Sequence, residues 1–276
     1  NETENSDLLW GLRGGGGNFG VVTRFDFQMH PVNTVVGGMV AHPYQRAREA
    51  LQFLRDFAKD APDALTVFCA MLTPPDSEPI IAFLICFNGS KEESDAVLEP
   101  LLTWGPPAMV QVGEAPYPQH QQMLDADFPA GLQVYWRSEF LRSLDDAVID
   151  TLIEQFDAVT SPLSALVLEQ FGGAVSRVPK EDTAFVHRDA EFNLAIVSRW
   201  AQPGEDNQHV AWARGVHDAV RPFSTGVYVN YLGDEGEDRV RAAYGEQVIH
   251  RLVALKNRYG PDNLFRLNQN IRPNSG

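Results

Sequence analysis

Two tyrosines near the C-terminal end of the sequence are the side chains whose type and spacing best suit chemistry. They lie in the run Tyr228-Val229-Asn230-Tyr231. A phenol has an unperturbed pKa of about 10, so it acts as a base near neutral pH only where a positive charge or hydrogen bonds stabilise its phenolate form. Aromatic residues also occur in strands simply because they pack well there. The run is therefore interpreted either as a pair of candidate bases or as part of a packed strand.

A run of four glycines near the N-terminus is the second stretch that could bind a ligand. Gly15, Gly17 and Gly20 match the G-x-G-x-x-G spacing of dinucleotide-binding loops, but that fingerprint requires a strand before the glycines and a helix after them. The sequence predicts the reverse order, a helix over residues 6–13 and a strand over residues 21–27. A nicotinamide site of the Rossmann type is therefore rejected. Either the bare backbone approaches a flat ligand or a phosphate, or the glycines form a tight turn without a ligand.

Two internal stretches also carry polar side chains next to glycines. Residues 172–178 read Gly-Gly-Ala-Val-Ser-Arg-Val, and residues 183–188 read Thr-Ala-Phe-Val-His-Arg. Of the two interpretations of His187 and Arg188, a catalytic role and hydrogen bonds that hold a loop, we favour the second. The seven histidines are scattered, so we expect no metal site.

The two ends of the chain resemble one known family. Residues 7–23 read Asp-Leu-Leu-Trp-Gly-Leu-Arg-Gly-Gly-Gly-Gly-Asn-Phe-Gly-Val-Val-Thr, and residues 258–273 read Arg-Tyr-Gly-Pro-Asp-Asn-Leu-Phe-Arg-Leu-Asn-Gln-Asn-Ile-Arg-Pro. Both are similar to motifs of the FAD-linked oxidases of the berberine bridge enzyme type, within the wider vanillyl-alcohol-oxidase superfamily. The two internal stretches and the tyrosine run are similar to family elements as well.

The resemblance implies a flavoprotein oxidoreductase. Hydride would pass from a hydroxyl-bearing substrate, a sugar or a natural product, to FAD, and dioxygen would then reoxidise the flavin and give hydrogen peroxide. The alternative is a non-catalytic binding or partner domain that keeps the fold without the cofactor half. Neither the substrate, nor covalent attachment of the flavin, nor the compartment of a soluble protein follows from the sequence.

Site residues follow from the resemblance position by position. Tyr228 and Tyr231 become the candidate catalytic bases, with no preference between them, and Asn230 supports them. Some family members place an acidic residue or a glutamine on the strand near the glycine pair, whereas Ser176 and Arg177 stand there in this chain, which favours a tyrosine base. The expected cofactor-binding residues are Gly15, Gly17, Asn18, Gly20, Val22, Asn230, Asn268 and Asn270.

The resemblance covers essentially the whole chain but only the later part of the family's length. The implied organisation is the end of an FAD-binding domain over residues 1–30, a substrate domain over 31–232, and a segment over 233–276 that returns to the FAD-binding domain. The N-terminal FAD-binding portion is an expected partner that the sequence lacks. Cys69 and Cys86 match no flavin-attachment motif, and we interpret both as small buried hydrophobes.

Composition limits the classes of protein to consider. The chain has 276 residues, 44% of them hydrophobic, and a net charge of −15. So negative a chain argues against nucleic acid or an anionic membrane as a partner, because both need a cationic surface. No apolar run approaches the length of about 20 residues that spans a bilayer.

The elements that would position these residues alternate between pairs of strands and helices. Amphipathic spacing predicts helices over residues 44–59, 90–104, 145–159, 206–220, 235–244 and 246–259. Apolar and β-branched runs predict strands over residues 32–42, 65–72, 80–87, 109–112, 132–140, 163–171, 192–201 and 226–232. The pattern favours an α+β fold with a mostly antiparallel sheet backed by helices. Tyr117, Met123, Phe128, Tyr135 and Trp136 either line a pocket or belong to the core.

Overall fold

The computed structural model describes residues 1–233, 235–267 and 269–274, and within them eight strands form one sheet. The strands are β1 (Thr34–Pro43), β2 (Leu65–Leu72), β3 (Ile80–Phe87), β4 (Met109–Pro116), β5 (Gln133–Leu141), β6 (Ala165–Gln170), β7 (Phe192–Trp200) and β8 (Ser224–Gly226). Their order across the sheet is β4-β1-β3-β2-β6-β7-β5-β8, and every pairing is antiparallel. The predicted α+β fold is confirmed.

Helices cover one face of this sheet. The α-helices of the described residues are α1 (Ser6–Leu12), α2 (Ala47–Ala58), α3 (Lys91–Thr103), α4 (Tyr117–Gln121), α5 (Asp146–Asp157), α6 (Asp206–Val220) and α7 (Glu237–Tyr259). Of these, α2, α3, α5 and α6 pack on the strands, because each places an apolar stripe on the sheet. In α2 the stripe is Ala47, Ala50, Leu51 and Leu54, all buried.

Strand alternation gives the sheet two different faces. Val67, Cys69 and Met71 of β2 point to the helices and join the main core, together with Phe83 and Ile85 of β3. The alternate residues point away from these helices, and we call that side the open face. It carries small or apolar side chains such as Ala70 and Ala82, and it also carries the few polar groups described below.

A second apolar cluster lies outside the main core and joins both ends of the chain. It contains Trp10 and Phe19 from the N-terminal segment and Tyr244, Leu252 and Ile271 from α7 and the tail. The predicted division at residues 30 and 232 stays a prediction, although the two terminal pieces do pack on each other.

Helix α7 agrees with the prediction from the sequence, including the interruption at Gly245. Two helices over residues 235–244 and 246–259 are predicted, and the structure has one element with a kink at Gly245, where φ is 71°. A left-handed φ suits glycine, which has no Cβ to collide with the backbone. The start of α3 also agrees, since Ser90 and Glu93 form a reciprocal capping box.

Two predicted strands are wrong. Residues 21–27 form no strand, and Val21, Phe25 and Phe27 are exposed by 67 to 78%. Alternating apolar residues need a neighbouring strand to pair with, and no described residue pairs with this segment. The strand predicted over residues 226–232 is also absent, because β8 ends at Gly226 and residues 229–231 form one turn of 3-10 helix.

The two cysteines do not form a disulfide. Cys69 points to the helix-covered core and is buried, and burial raises the pKa of its thiol. Cys86 points to the open face and is half-buried. Both thiols are free. No helix among the described residues is long and apolar enough to cross a membrane.

Truncating one buried valine should cost much more stability than truncating an exposed valine in the same sheet. Val67 is fully buried, whereas Val110 on the edge strand β4 is 47% exposed. We expect Val67→Ala to lower the free energy of unfolding by about 2 kcal/mol or more, from lost burial and a residual cavity. Val110→Ala should change it by less than about 0.5 kcal/mol. Urea unfolding of both variants measures the difference, and equal costs would contradict the assignment of the helix-covered face.

Candidate active site

The turn over residues 229–231 brings Tyr231 onto the open face of the sheet. It follows Gly226, whose φ of 149° an L-residue rarely adopts, and a Cβ there would overlap the imidazole of His187. Position 226 therefore requires glycine, and the chain turns directly after it, where a longer strand was predicted. Val229 and Leu232 then enter the second apolar cluster, while the Tyr231 ring lies on the sheet.

The Tyr231 hydroxyl meets a carboxylate there. It donates a hydrogen bond of 2.7 Å to Glu169 Oε1, and Asn193 Nδ2 donates one of 2.7 Å to Glu169 Oε2. Glu169 on β6 and Asn193 on β7 are direct partners in the antiparallel register, so both side chains point to the same face. The result is a continuous chain of hydrogen bonds from a buried asparagine to a phenol.

Burial and the Glu169 carboxylate keep the Tyr231 hydroxyl protonated. Burial raises the pKa of Tyr231 well above its usual value, and the Glu169 carboxylate raises it further. The phenol is therefore protonated and acts as the donor. Chemically, it can accept a proton from an incoming hydroxyl only as it passes its own proton to Glu169. This differs from a free phenolate base.

Tyr228 has a different environment. Its hydroxyl accepts a 2.8 Å hydrogen bond from Asn230 Nδ2, and its ring lies 5.4 Å from the Tyr231 ring in an edge-on arrangement. Phe140 and Phe185 pack around it with ring centroids 5.9 and 6.2 Å away. The expected support from Asn230 is present, but it goes to Tyr228. Among the described residues, Tyr231 donates its hydroxyl proton to an acceptor, whereas no acceptor is found for Tyr228.

The surroundings of Tyr231 are apolar. Trp136 meets its ring edge-on at 5.6 Å, and Leu72 and Val167 pack in the same cluster. Of the residues expected to line a pocket, Trp136 therefore lies at the candidate site. Tyr135 points to the opposite face, where Arg137 Nε donates to its hydroxyl at 2.9 Å.

The other three residues of that group have different surroundings. Tyr117 begins α4, Met123 follows that helix, and Phe128 packs under the guanidinium of Arg199 at 4.2 Å. None of them belongs to the cluster around Tyr231. Each is partly or largely exposed, so the core interpretation does not hold for them either.

Comparison with known proteins shows which proteins this chain resembles. The family model "Berberine and berberine like" matches residues 227–272, which include the tyrosine turn, α7 and the tail. An FAD-linked oxidoreductase of Dictyostelium discoideum is 30% identical over 277 residues. The match covers 99% of this chain and 59% of that protein.

Solved structures show the same fold. BBE-like 1 of Physcomitrella patens superposes with a TM-score of 0.85 at 20% identity and covers 100% of this chain. The 6-hydroxy-D-nicotine oxidase of Arthrobacter nicotinovorans gives 0.84 at 21% identity and covers 98%. This chain covers 62% of each of those chains.

The chain is similar to proteins of the berberine-like family over nearly its whole length, and the family model itself matches its C-terminal part. The resemblance seen in the sequence is therefore confirmed. The chain spans about three fifths of the length of the relatives it matches.

In this berberine-like chain the residues expected to bind a cofactor divide into two groups. Asn18 is buried and already engaged: Nδ2 donates to Gly15 O and Gln269 O at 2.9 and 3.0 Å, and Oδ1 accepts from Ile271 N at 2.9 Å. At Gly15 a Cβ would overlap the Gly11 carbonyl, so close packing within the chain requires this glycine. Both residues hold the terminal segments together.

The remaining expected cofactor residues are more accessible. Gly17 and Val22 are exposed, and Gly20 is half-buried. Asn270 is half-buried, and its Oδ1 is shielded from solvent with no hydrogen-bond partner among the residues described. Asn268 lies outside the described residues. Cofactor binding by all of these residues stays a prediction.

Lys256 completes the link between the two ends. Its side chain is fully buried, and Nζ donates to the carbonyls of Asn18 and Phe265 at 2.7 and 2.6 Å. Burial lowers the pKa of this ammonium group. The bonds hold the glycine-rich loop against the C-terminal tail.

Sequence reasoning missed Glu169 and Asn193. We looked for a carboxylate around Ser176 and Arg177, but Ser176 donates to Gly173 O, and Arg177 pairs with Asp63 in solvent. The available signal was an acidic residue at an alternate position of the apolar strand Ala165–Gln170. The preference for a tyrosine base stays a prediction, and the structure adds Glu169 as the hydrogen-bond partner of Tyr231.

The loop interpretation of His187 and Arg188 agrees with the structure. His187 Nε2 lies 2.9 Å from Ala243 O, and Arg188 donates to Val175 O and Thr183 Oγ1. Burial lowers the pKa of His187, which favours the neutral imidazole.

Replacing Glu169 should make the Tyr231 phenol easier to ionise. In Glu169→Gln the carboxylate that raises the pKa of Tyr231 is gone, so this pKa should fall while burial still holds it above its usual value. NMR of Cζ-labelled tyrosines up to roughly pH 12 shows whether Tyr231 begins to ionise in Glu169→Gln under conditions in which it stays protonated in the wild type. Tyr244 is the internal control, because burial alone raises its pKa and Glu169→Gln should leave it unchanged. An unchanged Tyr231 titration would contradict the contact.

Proposed function

We propose that this chain supplies the substrate-binding side of an FAD-dependent oxidoreductase that oxidises a hydroxyl-bearing substrate. The observation that carries the proposal is the Tyr231–Glu169–Asn193 chain of hydrogen bonds on the open face. Similarity to the berberine-like family supports it, as does the name of the Dictyostelium discoideum relative, an FAD-linked oxidoreductase.

In this proposal Tyr231 and Glu169 remove the hydroxyl proton together. The substrate hydroxyl donates to the phenolic oxygen of Tyr231 while the phenol gives its proton to Glu169 Oε1. Asn193 keeps the other carboxylate oxygen in place. The negative charge thus rests on the carboxylate before the reaction and is neutralised as the substrate is deprotonated, so no free phenolate is needed.

FAD, when bound, accepts the hydride that leaves the substrate carbon and is reoxidised by dioxygen to give hydrogen peroxide. The residues present fit such a group in part. The unpartnered Asn270 Oδ1 can accept from a ring N–H, and Gly17, Gly20 and Val22 offer accessible backbone. Asn18 does not fit, because its side chain is fully engaged within the chain.

The exposed segment from Val21 to Met29 fits the proposed organisation. Its apolar side chains are exposed, and Phe25 stacks on Phe27 at 5.5 Å. We propose that this segment and the C-terminal tail contact an FAD-binding portion of the kind the relatives' greater length suggests. That portion would be the partner expected from the sequence.

Apolar surroundings suggest which part of the substrate lies beside Tyr231. Trp136, Leu72 and Val167 offer aromatic and aliphatic contacts and no hydrogen-bond acceptor for several sugar hydroxyls. Between the two substrate classes considered, we therefore favour a natural product with an apolar ring over a sugar.

Removing either end of the proton path should slow oxidation strongly. In the natural full-length protein loaded with FAD, we expect Tyr231→Phe and Glu169→Gln each to slow flavin reduction by roughly 10²- to 10⁴-fold, the usual loss for a general base. Anaerobic stopped-flow absorbance measures this rate. Tyr228→Phe should cost less, because its hydroxyl contacts only Asn230 among the described residues.

Tyr135→Phe is the matched control. It removes a phenol from the opposite face of β5 and should leave the rate within about twofold of wild type. If Tyr231→Phe behaves like this control, the proposed proton path is wrong. A full-length protein that binds no flavin would instead support the alternative, a non-catalytic binding domain.

A further inference from the structure

We propose that Glu139 is the positioning residue that holds the tyrosine turn over the sheet. The inference rests on the proposed function for its meaning in catalysis, but its geometry stands independently. Glu139 lies on β5 and points to the helix-covered face, opposite to Tyr231, and it is fully buried. The mechanism described above does not use it.

Both ends of the segment that carries the tyrosines bond to this one carboxylate. At the start of the segment, Ser224 Oγ donates to Glu139 Oε2. At its end, Arg239 Nη2 donates to Glu139 Oε1 at 2.6 Å. Glu139 therefore joins Ser224 of β8 to Arg239 in the first turn of α7, with Tyr228 and Tyr231 between them along the chain, and we call this link the closure.

The segment needs such a closure because its own backbone is weakly constrained. Between the turn and α7 it contains Gly233 and Gly236, and Gly236 has a φ of 87°. Glycines leave the chain many alternative conformations. A bond at each end of the segment limits where the turn can lie.

Neighbours of Glu139 on β5 hold the same segment from the other face. Ser138 Oγ accepts from Tyr228 N at 3.3 Å, and the Phe140 ring lies 5.9 Å from the Tyr228 ring. Three consecutive residues thus fix the segment, since Ser138 and Phe140 point to the open face and Glu139 to the opposite one.

Further charged groups pack around Glu139 from each element that contacts it. His217 Nε2 of α6 lies 2.9 Å from Oε1, and its Nδ1 lies 3.0 Å from Asp218. Glu235 pairs with Arg137 at 3.0 Å and with Arg239 at 3.3 Å. These side chains, other than Asp218, are at most 18% exposed.

A buried ionic cluster of this kind is a poor source of net stability, because removing charges from water offsets most of their attraction. Its directional bonds, in contrast, specify one geometry. The cluster therefore acts mainly by fixing the position of Tyr231 relative to Glu169.

Hydrogen exchange tests the closure without any assay of activity. In Glu139→Gln we expect the amides of residues 227–233 to exchange about tenfold faster or more, because the segment opens locally. Residues 80–87 in the middle of the sheet should exchange as in wild type. Glu49→Gln, an exposed glutamate paired only with Arg46 in the described structure, is the matched control and should change neither peptide.

Flavin reduction by the FAD-loaded full-length protein gives the second measurement. We expect Glu139→Gln to lower its rate by roughly 10- to 100-fold, since a small displacement of a reacting group has effects of this size. In Glu139→Gln with Arg239→Gln, both charges are removed. The thermal midpoint should then recover towards wild type while the fast exchange and the slow reduction persist.

The outcomes separate the two proposals. Unchanged exchange in residues 227–233 of Glu139→Gln would overturn the closure. Recovery of exchange, rate and midpoint together in the double variant would also overturn it, because Glu139 would then act only through stability. Fast exchange in Glu139→Gln with an unaffected rate in Tyr231→Phe would leave the closure in place and overturn the proposed function.

Discussion

The hydrogen bond between Tyr231 and Glu169 is the contact on which the candidate site depends. It joins two parts of the molecule that fold from distant parts of the sequence, the sheet and the turn that leads into α7. One partner is placed by strand register and the other by a single turn of helix. A shift of one residue in the register of β6 would turn Glu169 to the helix-covered face and remove the contact.

The two faces of the sheet differ in how they accommodate polar side chains. Helices cover the opposite face, so a charged strand residue there needs partners that reach it through the core. Glu139 has such partners in Arg239 and Ser224. On the open face, Asn193 Nδ2 and the Tyr231 hydroxyl both donate to Glu169, and the alanine and valine side chains around them make this carboxylate and phenol the polar centre of the cluster.

The ends of the chain are held by a second set of polar contacts. Lys256 and Asn18 connect α7, the glycine-rich loop and the C-terminal tail through carbonyl acceptors. These bonds make the terminal segments one packed cluster, although they are about as far apart in sequence as the chain allows. This packing explains one of the glycines in the loop, because a side chain at Gly15 would overlap the Gly11 carbonyl. It does not explain Gly17, which is exposed.

The sequence by itself determined the class of fold, most element positions and the family. Amphipathic spacing located α2 and α6, apolar runs located β2 and β3, and the motifs at the two ends pointed to the berberine-like family. It also singled out Tyr228 and Tyr231, because the tyrosines lie within one short motif. These features are local, so they can be recognised from neighbouring residues alone.

Only the tertiary structure decided which tyrosine meets a carboxylate. Glu169, Asn193 and Tyr231 come from three separate elements, and no local pattern shows that register and turn bring them together. The strand predicted over residues 226–232 is wrong because Val229 and Leu232 pack into the second apolar cluster while Tyr231 bonds to Glu169 on the sheet. The strand predicted over residues 21–27 lacks a neighbour among the described residues. The tyrosine partner and both wrong strands depend on contacts between residues far apart in the sequence. A sequence pattern does not show such contacts, because it reflects only the preferences of neighbouring residues.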